Sequence, residues 1–294
     1  MNFAIAQGTR IGGRRIQQDR MGHWSTDSCL LMAVADGLGG HPNGEVAAEF
    51  AIRLLGAAFE REARPTIADP QAFLFRGMAA AHVAIQREAE RRGMSDAPRT
   101  VLVACIVQDG VAHWTHVGDS RLYLVRDGRV VHRTRDHTVV QELVDSGRIR
   151  EEAILTHPER NRLLQCLGGY QTPKPDPASR AKLARNDILL LCSDGFWNPL
   201  THRQLLHVLM TRELAPGIEE LVELAERRAG PSSDNITVIA MAWGEGEGLG
   251  ADADVEHTHV QDLTATDLDY MRMSDEDIEK AIEDLKVALR KNPL

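Results

Sequence analysis

The chain has 294 residues, of which 43% are hydrophobic and 26% charged, so its composition is that of a globular protein and excludes disorder throughout. No apolar run approaches the ~20 residues of a membrane helix, and no basic cluster offers a footprint for nucleic acid. The net charge of −9 is carried by the C-terminal segment, because 14 acidic and 5 basic residues lie between Glu245 and Leu294. The four cysteines form no C-x-x-C pair and the N-terminus does not resemble a secretory signal, which predicts reduced thiols in a cytoplasmic protein.

The predicted elements begin with three short strands and two long helices. The third strand, CLLMAVAD, is a nearly continuous apolar run, which is typical of a strand buried on both faces. Two hairpins follow, with turns at Asp109-Gly110 and Asp127-Gly128, because Asp-Gly is a strong signal for a two-residue turn. A buried strand, DILLLC, and a last strand, NITVIAMAW, close the pattern. The predicted helices cover residues 45–60, 70–92, 139–144, 201–211 and 218–229.

The order of these elements indicates the architecture. Strands and helices do not alternate, which disfavours a doubly wound parallel sheet and favours an α+β protein with mostly antiparallel sheets covered by helices. We expect one domain at 1–243, then an acidic, glycine-rich linker at 244–273. The linker leads to an amphipathic helix at 274–294, with Ile278, Ile282, Leu285 and Leu289 on one face.

Aspartates stand beside several of the apolar strands. Asp36, Asp119 and Asp194 follow strands, Asp234 precedes the last strand, and Asp19 precedes the second. Each one alone is compatible with a simple turn former. Several carboxylates crowded into one place would repel each other and be costly to desolvate, and divalent cations remove that penalty. Five such aspartates therefore favour a metal site, and oxygen ligands favour Mg²⁺ or Mn²⁺ over zinc.

Seven short motifs occur in chain order: RRIQQD (14–19), ADGLGGH with GE (35–45), VGDSR (117–121), DHT (136–138), HP to LG (157–168), SDGFW (193–197) and DNIT (234–237). Together they resemble the metal-dependent Ser/Thr protein phosphatases of the 2C type, the PPM family, and in particular its compact bacterial branch. The resemblance covers about residues 1–243, and the conserved order of the seven motifs makes it specific.

The resemblance implies a fold and a reaction. The fold would be a four-layer α-β-β-α sandwich of two mostly antiparallel sheets flanked by helices, with a flap segment at about 136–177 and a C-terminal helical extension. The reaction would be hydrolysis of phosphoserine and phosphothreonine on proteins by a water activated between two Mn²⁺ or Mg²⁺ ions, with a third ion as in bacterial members. The implied partners are phosphorylated proteins and a Ser/Thr protein kinase.

Roles for the acidic residues follow from the same resemblance. Asp36 would bridge the two ions, and Gly37 would bind one of them through its carbonyl. Asp194 and Asp234 would complete the first site. Asp119, together with Asp194, would hold the third ion, and Asp19 would act through a metal-bound water.

Two further residues would act on the substrate. Arg14 would bind the phosphate through its guanidinium, with Arg15 as the alternative; the spacing to Asp19 favours Arg14. His41 is the candidate general acid that protonates the leaving alkoxide, although a loop histidine without a role is the competing interpretation. For His137 we expect a structural hydrogen bond rather than catalysis.

Four positions depart from the family pattern. Gln18 replaces an acidic residue and removes one negative charge near the second metal, which would weaken metal binding, and Gln17 replaces an asparagine. Before the central strand, Pro98-Arg99-Thr100 stands where the pattern has Gly-Thr-Thr. None of these departures removes a principal ligand, so we expect an active enzyme.

Two other functions stay open at this point. The first is a phosphatase dedicated to one anti-sigma-type partner, as in the SpoIIE-like branch; the second is a catalytically silent phosphoprotein-binding module. The predicted C-terminal helix also has several interpretations, since it could dock on the core, pair with a second chain or bind a partner protein.

Overall fold

A computed structural model describes residues 1–39 and 43–244, and in these residues ten strands form two antiparallel sheets. The strands are β1 Phe3–Arg10, β2 Arg20–Ser25, β3 Cys29–Gly37, β4 Thr100–Gln108, β5 Val111–Val117, β6 Arg121–Arg126, β7 Arg129–Arg133, β8 Ser179–Lys182, β9 Ile188–Cys192 and β10 Ile236–Trp243. The helices are α1 Gly44–Glu62, α2 Pro70–Arg91, α3 Val139–Asp145, α4 Asp194–Trp197, α5 His202–Thr211 and α6 Leu214–Ala229, with 3₁₀ turns at Glu151–Thr156 and Gly230–Ser232. The first sheet has the order β1-β10-β9-β6-β7, and the second has the order β2-β3-β4-β5-β8.

Three apolar clusters separate four layers of structure. Met32 on one face of β3 packs with Leu189 of β9 in the cluster between the two sheets. Leu31, on the opposite face of β3, packs with Leu55 of α1 in a cluster that joins the second sheet to α1 and α2. The third cluster, which includes Leu221 of α6, joins the first sheet to α5 and α6. The α-β-β-α sandwich predicted from the sequence is therefore confirmed, and the nearly continuous apolar run of β3 reflects a strand that is covered on both faces.

Both predicted hairpin turns are present. Asp109 and Gly110 have φ values of 52° and 68°, and Asp127 and Gly128 have 49° and 70°. Positive φ at both central residues is the requirement of a type I′ turn, which matches the twist of the strands it joins. The Asp-Gly signal thus predicted both turns correctly.

The helix ends mostly follow the sequence signals. Asp69 accepts a hydrogen bond from the Ala72 amide at 3.0 Å and caps α2, and Thr201 forms a capping box with Gln204 at the start of α5. Helix α6 differs from the prediction, because it begins at Leu214 rather than at 218. Its first turn contains Pro216, and a proline is tolerated there because the first amides of a helix have no partner within the helix.

Besides the two 3₁₀ turns, one strand and one α-helix were not predicted at all. Strand β8 is only four residues long and polar, SRAK, and it pairs with the edge of the second sheet through β5. Helix α4 is a single turn that starts at Asp194. Neither has the length or the apolar periodicity on which sequence prediction depends.

Some sequence predictions lie outside the described residues. These are the linker from residue 245 onward, the helix at 274–294 and the loop residues 40–42, which include His41. None of the helices in residues 1–39 and 43–244 qualifies as a membrane-spanning segment. All four cysteines are unpaired; three are buried as expected, whereas Cys166 is half-buried.

Candidate functional site

The aspartates predicted as ligands converge on one cavity of about 590 Å³. Asp36 reaches it from the end of β3 in the second sheet, whereas Asp194 and Asp234 reach it from the ends of β9 and β10 in the first sheet. Asp119, which follows β5, also lines it. The cavity therefore lies where the strand ends of both sheets meet, and carboxylates more than 190 residues apart in the chain become neighbours there.

Asp19 is buried beside this cavity rather than among its lining residues. Its side chain is only 4% exposed, and its Oδ2 accepts a hydrogen bond of 2.7 Å from the Ser193 hydroxyl. The same hydroxyl accepts a bond of 3.0 Å from the Thr237 amide, so the start of β10 holds it in place. Asp19 is thus fixed next to Asp194 by a serine of the SDGFW motif.

Burial and mutual repulsion raise the pKa of four carboxyl groups here, those of Asp19, Asp36, Asp119 and Asp194. Burial is the main cause in each case, and neighbouring aspartates add to it: the pKa of Asp36 and of Asp119 lies well above 3.8. The pKa of Asp194 rises to about 6 and that of Asp19 to about 7, although hydrogen bonds from Ser193 and Thr237 act in the opposite direction on Asp19. A buried, all-oxygen group of carboxylates that resists ionisation on its own is the donor set that suits hard divalent cations. The residues present therefore fit a Mn²⁺ or Mg²⁺ centre.

Gly37 allows a close backbone approach at this centre. A Cβ atom at this position would lie 2.4 Å from backbone atoms of Gly44, so no side chain fits there. The preceding carbonyl, of Asp36, accepts a hydrogen bond of 2.8 Å from the hydroxyl of Thr100. The threonine that this chain shares with the family pattern thus helps to hold the turn that carries Asp36 and Gly37.

Of the two arginines considered for phosphate binding, Arg14 lines the cavity and Arg15 is not among its lining residues. Nη2 of Arg14 donates a hydrogen bond of 2.6 Å to Oδ2 of Asp234, and about half of the arginine side chain stays exposed. One guanidinium edge is therefore engaged by a carboxylate of the site, while the remaining N–H groups are available for a phosphate. Gln18 also lines the cavity and donates to Oε2 of Glu45 at 3.2 Å, so a neutral amide stands where the family pattern has an acid.

A buried network that the sequence did not predict supports Asp119. Nε1 of Trp197 donates a hydrogen bond of 3.0 Å to the Asp119 carbonyl, and the Arg121 guanidinium lies 3.3 Å from the centre of the Trp197 ring. Arg121 in turn forms two hydrogen bonds to Asp136, of 2.8 and 2.7 Å. The motifs VGDSR, DHT and SDGFW thus meet in one structural unit, which explains why these residue types recur beside the aspartates.

His137 makes structural hydrogen bonds on both ring nitrogens. Nδ1 accepts from the Gly118 amide at 3.1 Å, which leaves the proton on Nε2 to be donated to Oδ1 of Asp176 at 3.1 Å. His116 stacks on this ring and could offer a third metal-ligand atom nearby. A metal ion on Nε2 of His137 would need the proton on Nδ1, where it would clash with the Gly118 N–H, so the cluster is a hydrogen-bonded anchor for the end of the flap segment.

A family model described as Protein phosphatase 2C matches residues 9–232, about three quarters of the chain. The chain belongs to this family. The assignment made from the seven motifs is therefore confirmed, and with it the 2C-type sandwich fold.

Relatives of this 2C-family protein include serine/threonine protein phosphatases. It is 37% identical over 211 residues to PstP of Mycobacterium tuberculosis, a match that covers 71% of this chain and 39% of that protein. The chain thus matches about two fifths of the length of this relative. A crystal structure of the M. tuberculosis phosphatase PstP/Ppp is 33% identical with a TM-score of 0.73, covering 82% of this chain and 99% of that one.

A second solved structure bears on the metal centre. The catalytic domain of PstP in complex with two manganese ions is 32% identical with a TM-score of 0.69, and the match covers 82% of this chain and 97% of that one. A protein with the same fold and 32% sequence identity to this chain has therefore been solved with two manganese ions bound.

Proposed function

We propose that this chain hydrolyses phosphoserine and phosphothreonine on proteins with the help of two divalent cations, Mn²⁺ or Mg²⁺. The observation that carries the proposal is the convergence of four aspartates from both sheets on one cavity that also contains an arginine. Membership of the protein phosphatase 2C family and the likeness to a phosphatase with two manganese ions support it. The crowding of Asp19, Asp36, Asp119 and Asp194, whose pKa values are all raised, has no evident structural purpose without cations.

The aspartates would hold the ions in distinct ways. Asp36 and the carbonyl of Gly37 would hold the catalytic ions, and Asp194 and Asp234 would complete the first site. Asp119, with Asp194, would hold a third ion, and the buried Asp19 would orient water rather than bind metal directly. When bound, such cations lower the pKa of a water molecule and offset the negative charge of the phosphoryl group.

The chain itself would bind and orient the phosphate. The free N–H groups of Arg14 suit two phosphate oxygens, and its bond to Asp234 fixes the guanidinium beside the carboxylates. His41 would donate a proton to the leaving oxygen. The two sheets on which the cavity is built would keep these groups in place for attack on phosphorus.

Metal dependence and two substitutions test this proposal. Hydrolysis of a phosphothreonine peptide and of p-nitrophenyl phosphate should require Mn²⁺ or Mg²⁺ and should be lost in Asp36→Asn and Asp234→Asn, because each change removes a ligand charge. Asp127→Asn, in an exposed hairpin turn, is the matched control and should stay active. Activity of either site variant within a few-fold of wild type at saturating Mn²⁺ would contradict the assignment.

A comparison of two neighbouring arginines tests the phosphate-binding role. Arg14→Ala should raise KM for a phosphopeptide and lower kcat/KM, while the concentration of Mn²⁺ needed for half-maximal activity changes little. Arg15→Ala is the control, since Arg15 does not line the cavity. A larger loss in Arg15→Ala would show that the wrong arginine was chosen.

The biological setting follows from the reaction. We expect the substrates to be phosphoproteins made by a Ser/Thr protein kinase whose action this enzyme reverses. Both the cytoplasmic location and a partner for the segment 274–294 stay predictions from the sequence.

A further inference from the structure

The cavity contains a second arginine that no proposed catalytic role uses. Arg99 lines it together with Cys166, Gly169 and Tyr170 of the flap segment. The carbonyl of Arg99 accepts a hydrogen bond of 2.9 Å from the Leu38 amide, directly after Asp36 and Gly37. Its backbone is thus fixed to the turn that carries two of the proposed metal ligands.

The guanidinium of Arg99 is only partly satisfied. Nη2 donates a hydrogen bond of 2.9 Å to Oδ1 of Asp96, whereas Nε is buried and has no partner among the described residues. By contrast, Arg121 uses both Nε and Nη2 on the two oxygens of Asp136. The Arg99 guanidinium is thus held by a single hydrogen bond among the described residues, and 23% of its side chain stays exposed. Its exposed terminal N–H groups can therefore donate to an incoming anion without breaking an established two-point pair.

Tyr170 adds an aromatic surface next to this arginine. The Arg99 guanidinium lies 6.0 Å from the centre of the Tyr170 ring, and the Tyr170 hydroxyl donates to the Ser95 carbonyl at 2.9 Å. The ring is nevertheless 75% exposed. A tyrosine that is tethered by its hydroxyl but leaves its ring in solvent is well suited to contact a bound peptide chain.

The two arginines of the cavity differ in their ion-pair partners. Arg14 pairs with Asp234, one of the proposed ligands. Arg99 pairs with Asp96, which is not among the residues that line the cavity. The positive charge of Arg99 is therefore not required to balance the metal-site carboxylates, and it faces the same space into which a phosphoprotein would enter.

We infer that Arg99 and Tyr170 form a specificity subsite that binds an anionic side chain of the substrate close to the residue being dephosphorylated. The inference rests on the proposed function and names the substrate class of that same site. The anion would be either a carboxylate of Asp or Glu or a second phosphate, because a guanidinium recognises both through the same pairs of oxygens.

Matched phosphopeptides provide the test. A phosphothreonine peptide is prepared with a single Glu at each flanking position in turn, and each is paired with the same peptide carrying Gln. For at least one position, wild type with Mn²⁺ should show a Glu-to-Gln ratio of kcat/KM of about tenfold, the scale of one charge-assisted hydrogen bond at a half-buried site. A third peptide carries a non-hydrolysable phosphonate analogue of phosphoserine at that position. Comparing its kcat/KM with that of the Glu peptide shows whether the subsite prefers a phosphate or a carboxylate.

Variants then assign the preference to Arg99. In Arg99→Gln the ratio should fall to about one, and Arg99→Lys should keep part of it because the charge is retained. Arg76→Gln is the control, since Arg76 lies on α2 outside the cavity lining and should keep the full ratio. The ratio compares two substrates of one variant, so a loss of folded protein does not change it.

The possible outcomes distinguish a failure of the subsite from a failure of the proposed function. An unchanged ratio in Arg99→Gln, or wild-type hydrolysis of phosphothreonine with no acidic preference at any position, would overturn the subsite and leave the proposed function standing. An equal loss on Glu and Gln peptides at a preserved ratio would show that Arg99 acts on the scissile phosphate or on the fold. No hydrolysis of any peptide by wild type in Mn²⁺ or Mg²⁺ would overturn the proposed function and the subsite with it.

Discussion

The buried carboxyl group of Asp19 should make the metal-free protein less stable as the pH rises. Its pKa is about 7 in the folded chain against an ordinary value of 3.8, so the folded state binds a proton more tightly than the unfolded state. The unfolded chain then ionises first, and stability present at low pH is lost as the pH rises from about 4 through 7. At 1.36 kcal/mol for each pKa unit, the full loss is about 4 kcal/mol, of which roughly 3 kcal/mol falls between pH 5 and 8.

Buried histidines act in the opposite direction and must be separated from this effect. Burial lowers the pKa of His82 and of His116 to about 4, so folding excludes their protons and their contribution to stability grows as the pH rises from 4 to 6.5. Wild type and Asp19→Asn both contain these histidines, so the histidine contribution cancels in the difference between their free energies of unfolding. The asparagine can still accept the hydrogen bond from Ser193, so the substitution changes mainly the charge.

The assay is urea unfolding of both proteins in EDTA at several pH values between 5 and 8. Asp19→Asn should gain roughly 3 kcal/mol relative to wild type across this range, whereas Asp127→Asn in an exposed turn should gain nothing. Saturating Mg²⁺ should abolish the trend, because bound cations stabilise the ionised carboxylates of wild type. A difference between wild type and Asp19→Asn that does not change with pH would refute the argument.

Three further changes probe the fold. Asp136→Asn should lower the free energy of unfolding by about 3–5 kcal/mol in urea denaturation, because it leaves a buried guanidinium without its counter-ion; a loss below about 1 kcal/mol would show that the pair is dispensable. Gly118→Ala should lower the free energy of unfolding by roughly 3 kcal/mol or more in thermal unfolding, since φ is +105° and the new methyl would lie 2.0 Å from a valine side chain. Gly93→Ala is the control: φ is also positive there but the space is open, so the loss should be only about 1 kcal/mol. Truncation near Gly246 should leave metal binding and hydrolysis of p-nitrophenyl phosphate near normal, because all ten strands end before it; a large loss of melting temperature would mean that the C-terminal segment belongs to the core.

The parts of the molecule that the sequence predicted correctly are those in which short-range patterns decide the structure. Asp109-Gly110 and Asp127-Gly128 need positive φ in a two-residue turn, and few other residue pairs accept it. The apolar run that ends at Asp36 predicted both the buried strand and the position of a carboxylate at its end. The fold class and the convergence of the aspartates on one cavity could therefore be inferred from the sequence.

The parts that were not predicted depend on contacts between distant segments. Strand β8 forms because the edge of β5 offers hydrogen bonds, and nothing in its four polar residues signals this. The support of Asp119 by Trp197 joins residues 78 positions apart. The burial of Asp19 and the position of Arg99 in the cavity lining can likewise be seen only when the chain is folded.

The position of β10 in the first sheet has a consequence for how the protein is made. This last described strand lies between β1, the first strand, and β9, and it pairs with both. During translation β1 therefore has no strand to pair with until β10 has been added, whereas β2 to β5 of the second sheet can pair with each other much earlier. Asp234 precedes β10 and arrives at the same late moment, so no shorter nascent chain contains the complete cavity. A chain released before this point would be an incomplete sandwich with exposed apolar surface and without the complete cavity. Addition of β10 is therefore the step that both closes the core and completes the site.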